Sequence, residues 1–213
     1  MPAIYQAVEA LEHPVFRDYL KLSLFTGLRR EKEAASLTWK EMIDFTNRVI
    51  RVPPSSTKNQ EPLHLPMSSF VRDLLVARRS LGDSHWVFPS GRRGHIGDPT
   101  PHFEAIAEAC GVRVSCHDLR RTYVTIAESI EMSNFALKAL VNHTLGSDVT
   151  GGYIQMSVAR LRKPAQRVCD RLLELIGLAG PEAVDNVARL GQRICCGIQR
   201  PKIICVQARK TQM

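Results

Sequence analysis

Apolar residues recur at helical spacing over most of this chain and switch to alternation only between about Arg48 and Leu65. A period near 3.6 that persists on both sides of one short period-2 interruption restricts the fold to a mainly α-helical body with a small piece of β structure. Residues 2–12 and 14–25 predict two opening helices, with Ile4, Ala7 and Leu11 and then Tyr19, Leu22, Leu24 and Phe25 facing inward and Gly27 closing the second. A further helical stretch from about Arg29 to Lys40 places Ala34, Leu37 and Trp39 inward. The runs Arg48–Val52 and Leu63–Leu65 alternate as short strands, and PPSSTKNQEP between them is rich in turn formers, so a β-hairpin or small antiparallel sheet carries Lys58 at its tip.

Beyond Pro66 the pattern predicts a helix through Phe70, Leu74 and Leu75, a short apolar strand at Val87 and Phe88, and a Gly- and Pro-rich loop, PSGRRGHIGDP, leading to a helix over residues 101–110. The segment from His117 has helical spacing at Leu119, Tyr123, Ile126 and Ile130, and Ser133 suits the N-cap of a helix containing Phe135, Leu137, Leu140 and Val141. Irregular chain follows from Asn142 to Gly152. A last strong helix over residues 157–177 lines up Val158, Leu161, Ala165, Val168, Leu172, Leu175 and Ile176. At Gly177–Pro181 the periodicity stops, and residues 182–213 hold three of the six cysteines and no aromatic residue.

A chain of 213 residues, 44% of them apolar, can bury one good core and carry a small appendage. No apolar run approaches the ~20 residues that span a bilayer, and the first residues lack the charged and apolar pattern of a secretory signal, so a soluble, intracellular protein is expected. The cysteines show no metal-ligand spacing, and no metal site is proposed. The net charge of +8 invites a nucleic-acid partner. Its distribution is uneven: residues 1–154 hold 18 basic and 17 acidic side chains, a net of +1, whereas residues 155–213 hold 11 and 4, a net of +7. Bulk charge is thus silent about the first two thirds, where particular residues must carry the function.

Those residues are Arg29, Lys58, His117, Arg120, His143 and Tyr153. Singly, each reads as ordinary surface: HxxR is frequent on solvated helices, a turn lysine is solvent decoration, and a histidine after a helix is a cap. As a set they supply what transesterification at a phosphodiester needs. Guanidinium groups meet the non-bridging oxygens bidentately and stay charged. Imidazoles donate hydrogen bonds or handle the nucleophile's proton. A phenol, with a reference pKa of ~10, becomes a nucleophile only in a cationic pocket. A mobile ammonium can protonate the leaving 5′ oxygen.

In order and approximate spacing, FTGLRREKEAASLTW, STKNQEPLHLP, CHDLRRT and LVNHTLGSDVTGGY resemble the catalytic domain of the tyrosine recombinases, the phage-integrase family, over residues 1–178. The resemblance implies an α+β, mainly helical tyrosine-recombinase fold. It also implies an enzyme that cuts and rejoins DNA through a 3′-phosphotyrosine, with Arg29 and Arg120 clamping the phosphate, Lys58 as general acid, His117 and His143 assisting and Tyr153 as nucleophile. No cofactor, ATP or metal is then required. The implied partners are double-stranded DNA and other recombinase subunits, contacted through the last helix in a tetramer on DNA, and the implied setting is a bacterial or phage-encoded cytoplasmic protein. Because the match begins almost at Met1, the family's N-terminal DNA-clamping domain is expected to be absent, leaving residues 1–178 as a fragment or remnant and 179–213 as a tail of no assigned role. Two alternatives share the motifs: a catalytically inactive DNA-binding remnant and a type IB topoisomerase-like enzyme.

Two departures from the family pattern matter. Asn142 precedes the histidine where glycine is common. The stretch REKEAASLTW is one residue longer than usual, so counting forward from Thr26-Gly27 selects Arg29 as the phosphate arginine, while counting back from Glu33, Leu37 and Trp39 selects Arg30. Neighbours on a helix point about 100° apart, so both cannot occupy one pocket. Arg29 is preferred, with the extra residue absorbed by a bulge near Glu31-Lys32 and Arg30 left on or near the surface.

Overall fold

The computed structural model describes residues 1–91, 94–143 and 157–178. Its centre is α2 (Pro14–Thr26), which is buried nearly all round from Tyr19 to Thr26, as a helix enclosed by others must be. α1 (Pro2–Glu9) lies beside it. The stack of Phe25 on Phe70, centroids 4.0 Å apart, joins α2 to α4 (Ser69–Arg79). α6 (Cys116–Ser129) runs along another side of α2 and buries Leu119, Tyr123, Ile126 and Ala127. A buried ion pair, Arg78 to Asp18 at 2.8 Å, ties α4 to α2, and Arg78 Nε also donates to the Val87 carbonyl at 2.6 Å.

Arg29 to Lys40 is not one helix. A π-helix, Arg30–Ala35, follows Arg29, and α3 (Trp39–Met42) begins only after an extended Thr38. Between them the backbone turns outward to pair with a distant strand-like segment: Val87 N–H donates to the Leu37 carbonyl at 2.8 Å, and Thr38 bridges to Trp86. Leu37 is buried as expected, whereas Trp39 is only half-buried.

The β structure is an antiparallel sheet of three strands rather than a hairpin of two, β1 (Ile43–Asp44), β2 (Val49–Val52) and β3 (Leu63–Pro66), in that order. The register pairs Ile50 with Leu65 and Val52 with Leu63 on the buried face and Arg51 with His64 on the exposed one. That alternation is the period-2 signal of the sequence made physical. Phe88 is fully buried without belonging to a regular strand, and a second small sheet, β4 (Pro89–Ser90) with β5 (Gly94–His95), occupies the stretch read as loop.

α5 (Thr100–Cys110) packs on α1, and α7 (Asn134–Leu140) starts from a Ser133 side-chain cap. α8 (Val158–Ile176) places Leu161, Ala165, Val168, Cys169, Leu172 and Ile176 against β3, α6 and α7. Its apolar stripe is therefore filled from within the chain. The exposed residues of α8 include Arg160, Arg162, Lys163, Arg167 and Arg171. Among the described residues no helix is long and apolar enough to cross a membrane.

A candidate phosphate-binding site

The site begins with a helix end. Thr26 closes α2 by donating its hydroxyl to the Leu22 carbonyl at 2.6 Å, and Gly27 then adopts φ +65, the left-handed conformation that ends a helix. Gly27 is required twice over, since a Cβ there would stand 2.6 Å from the Tyr123 ring. The missing side chain lets α6 approach the turn closely enough for Arg120 to reach it.

Arg120 is buried and spans two elements: its Nη1 donates to the Gly27 carbonyl and its Nη2 to the Val141 carbonyl at 2.6 Å. The guanidinium is thereby fixed in direction by two backbone oxygens, which accept its protons but leave its charge uncancelled. Burial, followed by the neighbouring positive charge of Arg29, lowers its pKa from the ordinary arginine value. α6 itself is anchored by a capping box in which the Ser115 hydroxyl accepts from Asp118 N–H while the Asp118 carboxylate accepts from Ser115 N–H.

Arg29 precedes the π-helix and is gripped twice by Glu33. Its own N–H donates to Oε2 at 2.9 Å and its Nη1 to Oε1 at 3.0 Å. Glu33 is 1% exposed and Arg29 30%, so the carboxylate is an interior brace and the guanidinium emerges from it. The next residue diverges: Arg30 lies 3.7 Å from Asp98, and its charge acts on Cys116 and Tyr19. Both arginines border a cleft of about 950 Å³, and the charge of Arg29 acts on both Arg120 and His143.

His143 follows α7, its N–H donating to the Lys138 carbonyl at 2.9 Å. Although the residue is exposed, partial desolvation of its ring, and then the charges of Arg120, Arg29 and Lys138, hold its pKa below the ordinary imidazole value. That shift favours the uncharged imidazole, which accepts a proton at one nitrogen and donates from the other. Lys58 is exposed on the β2–β3 loop at the rim of the same cleft as Arg29. A second groove, of about 470 Å³, contains Asn59, Glu61, His64, Lys138 and His143 along its walls.

Of the six residues singled out in the sequence, Arg29, Arg120 and His143 are brought together, and Lys58 faces the cleft that Arg29 borders. His117 stands exposed in the first turn of α6, three residues before the buried Arg120. Tyr153 lies outside the described residues. Two features went unread: Glu33 as a buried brace, although it had served as a motif anchor, and the amide pair Asn59–Asn142, which joins the lysine loop to the histidine turn.

The phage integrase family model matches residues 1–160. Over 188 residues the chain is 29% identical to the prophage integrase IntF of Escherichia coli (strain K12), covering 85% of this chain and 39% of that protein. The integrase from mycobacterium phage Brujita is similar in fold, with a TM-score of 0.58 and 22% identity over 78% of this chain and 55% of that one. The chain thus spans about two fifths of the length of the curated relative.

Proposed function

The chain belongs to the phage integrase family, and on that premise we propose that residues 1–178 are the catalytic domain of a site-specific DNA recombinase that breaks and rejoins DNA through a 3′-phosphotyrosine. The observation that carries this reading is geometric: Arg120 donates to the carbonyls of Gly27 and Val141, which brings it beside the turn that leads into the Glu33-braced Arg29 and beside the turn that carries His143. Like charges braced from behind by Glu33 and two carbonyls fit an anion that shares its charge between two oxygens, such as a phosphodiester.

In this reading the Tyr153 oxygen attacks the phosphorus, a P–O bond to tyrosine forms, and the bond to the 5′ oxygen breaks. The phenol proton passes to a base, a role for which the imidazole of His143 or His117 is suited, and the leaving 5′ oxygen takes a proton from the Lys58 ammonium. Because the ester bond is conserved in the intermediate, reversal of the step rejoins the strand. The basic residues exposed on α8 would follow the DNA backbone. Any contact with further subunits through α8 would use that charged side, since the apolar one is buried within the chain.

Covalent capture tests the proposal. Incubated with a library of nicked duplexes of randomised sequence, the protein is expected to yield SDS-stable protein–DNA adducts. Arg29→Ala should lower the yield rate by ~10²–10³, the scale of a lost transition-state donor. Arg30→Ala should be mild. Binding of the library with no adduct at any sequence contradicts a cleaving enzyme and leaves a DNA-binding remnant.

A further inference from the structure

Asn142 occupies a backbone conformation that favours glycine, with φ +49, yet here it carries a side chain. That side chain forms a reciprocal pair with Asn59, 83 residues away: each Nδ2 donates to the other's Oδ1 at 3.1 Å. The Asn59 amide also lies 3.5 Å from the Asn142 carbonyl, and the Asn142 amide 3.5 Å from the Glu61 carbonyl. Asn59 directly follows Lys58, and His143 directly follows Asn142. The loop between β2 and β3 is closed on itself by the buried Thr57, whose hydroxyl lies 3.0 Å from the Pro54 carbonyl and 2.8 Å from that of Glu61. On the other side, Arg120 holds the carbonyl of Val141. An unbroken series of hydrogen bonds and adjacent residues therefore runs from Gly27 through Arg120, Val141, Asn142 and Asn59 to Lys58.

We propose that Asn59 and Asn142 are positioning residues: their amide pair latches the lysine-bearing loop to the turn that carries His143, and so fixes Lys58 relative to the Arg120 guanidinium. A loop of about ten residues without such a tie samples many positions of its tip, and proton delivery falls steeply with misplacement of even 1 Å. Both partners are uncharged amides, so the latch does not depend on the protonation of either. The side chain of Asn142 offsets the backbone cost of its left-handed conformation by this contact. The inference rests on the assignment of Lys58 as general acid.

The decisive substitution is Asn142→Gly, which removes the amide while suiting the backbone, with Asn59→Ala as its counterpart. Two measurements on the full chain are needed. Hydrogen exchange of residues 54–61 should quicken in both variants, and unchanged exchange overturns the latch without any reference to catalysis. Cleavage is then compared on a nicked duplex recovered by covalent capture and on the same duplex with sulfur at the 5′-bridging position, whose thiolate leaves without being protonated. Asn142→Gly should lose about ten- to a hundred-fold on the oxygen substrate and regain near wild-type rate on the sulfur one, the pattern also expected of Lys58→Ala. Equal losses on both substrates, or none on either, overturn the positioning role. If Lys58→Ala itself loses equally on both, or wild-type protein cleaves neither, the assignment of Lys58 fails, and the positioning role fails with it.

Discussion

Adjacent arginines in one short motif point to different neighbours because the backbone between them changes character. Arg29 is extended and receives the Glu33 carboxylate at both its backbone and its side chain, whereas Arg30 enters the π-helix and turns toward Asp98. The consequence is measurable at His143. Its NMR titration should fall below the ordinary imidazole midpoint, because desolvation and the charges of Arg120, Arg29 and Lys138 all disfavour the imidazolium. Arg29→Ala removes one of those charges and should raise the midpoint, while Arg30→Ala should leave it in place. The sign carries into stability: a base whose folded pKa is depressed is protonated more readily when unfolded, so acidification through that range weakens the fold and neutral pH favours it. A midpoint that moves with Arg30 and not with Arg29 would reverse the register. Sequence alone left that register open, because its two anchors count from opposite sides of an inserted residue. Asn142 was legible only as a departure from a glycine, since its partner lies 83 residues away and no local pattern announces it.

At the scale of elements, helices with a clear apolar period or a cap were legible, down to the seven residues of α7 behind Ser133, and the shortest elements were not. The last helix, read as residues 157–177, runs Val158–Ile176. Two-residue strands such as β1 and β4 offer no period to read, and they depend on pairing with distant chain, as Ile43 does with Ile50. Arg29 to Lys40 misled for a related reason: its apolar residues have helical spacing, but tertiary hydrogen bonds from Val87 N–H to the Leu37 carbonyl and from Trp39 N–H to the His85 carbonyl hold Leu37 and Thr38 out of a helix. The capping box on α6 matters beyond local order, because α6 delivers Arg120. Ser115→Ala should lower stability by about 1 kcal/mol in denaturant unfolding, and a change well under half that size would show that the packing of α6 on α2 alone fixes its start. Gly27→Ala should be worse than either conformational or steric cost alone, since the left-handed φ and the Tyr123 ring both oppose a Cβ.

Across the whole molecule, one interior links residues from Tyr5 to Ile176, with the Arg78–Asp18 ion pair sealed inside it. Removing one partner strands the other charge in a place water does not reach, so Asp18→Ala should cost about 3–5 kcal/mol in unfolding experiments. A loss below 1 kcal/mol would mean that Arg78 finds water on relaxation. Residues 179–213 lie outside the described residues, and the proposed domain boundary near Leu178 predicts that deleting 181–213 leaves the melting temperature within a degree or two; a large drop would show that the core extends past α8. Arg29 and Lys58 border one cleft and His143 a neighbouring groove; the proposed reaction assigns the nucleophile to Tyr153, and the most direct measurement goes to that residue. Adducts captured on nicked DNA, trimmed by nuclease and protease, should carry a nucleotide 3′-phosphate on Tyr153 by tandem mass spectrometry and should vanish in Tyr153→Phe. A nucleotide attached at any other residue, or an adduct that survives in Tyr153→Phe, would contradict the assignment of this chain as a tyrosine-dependent recombinase.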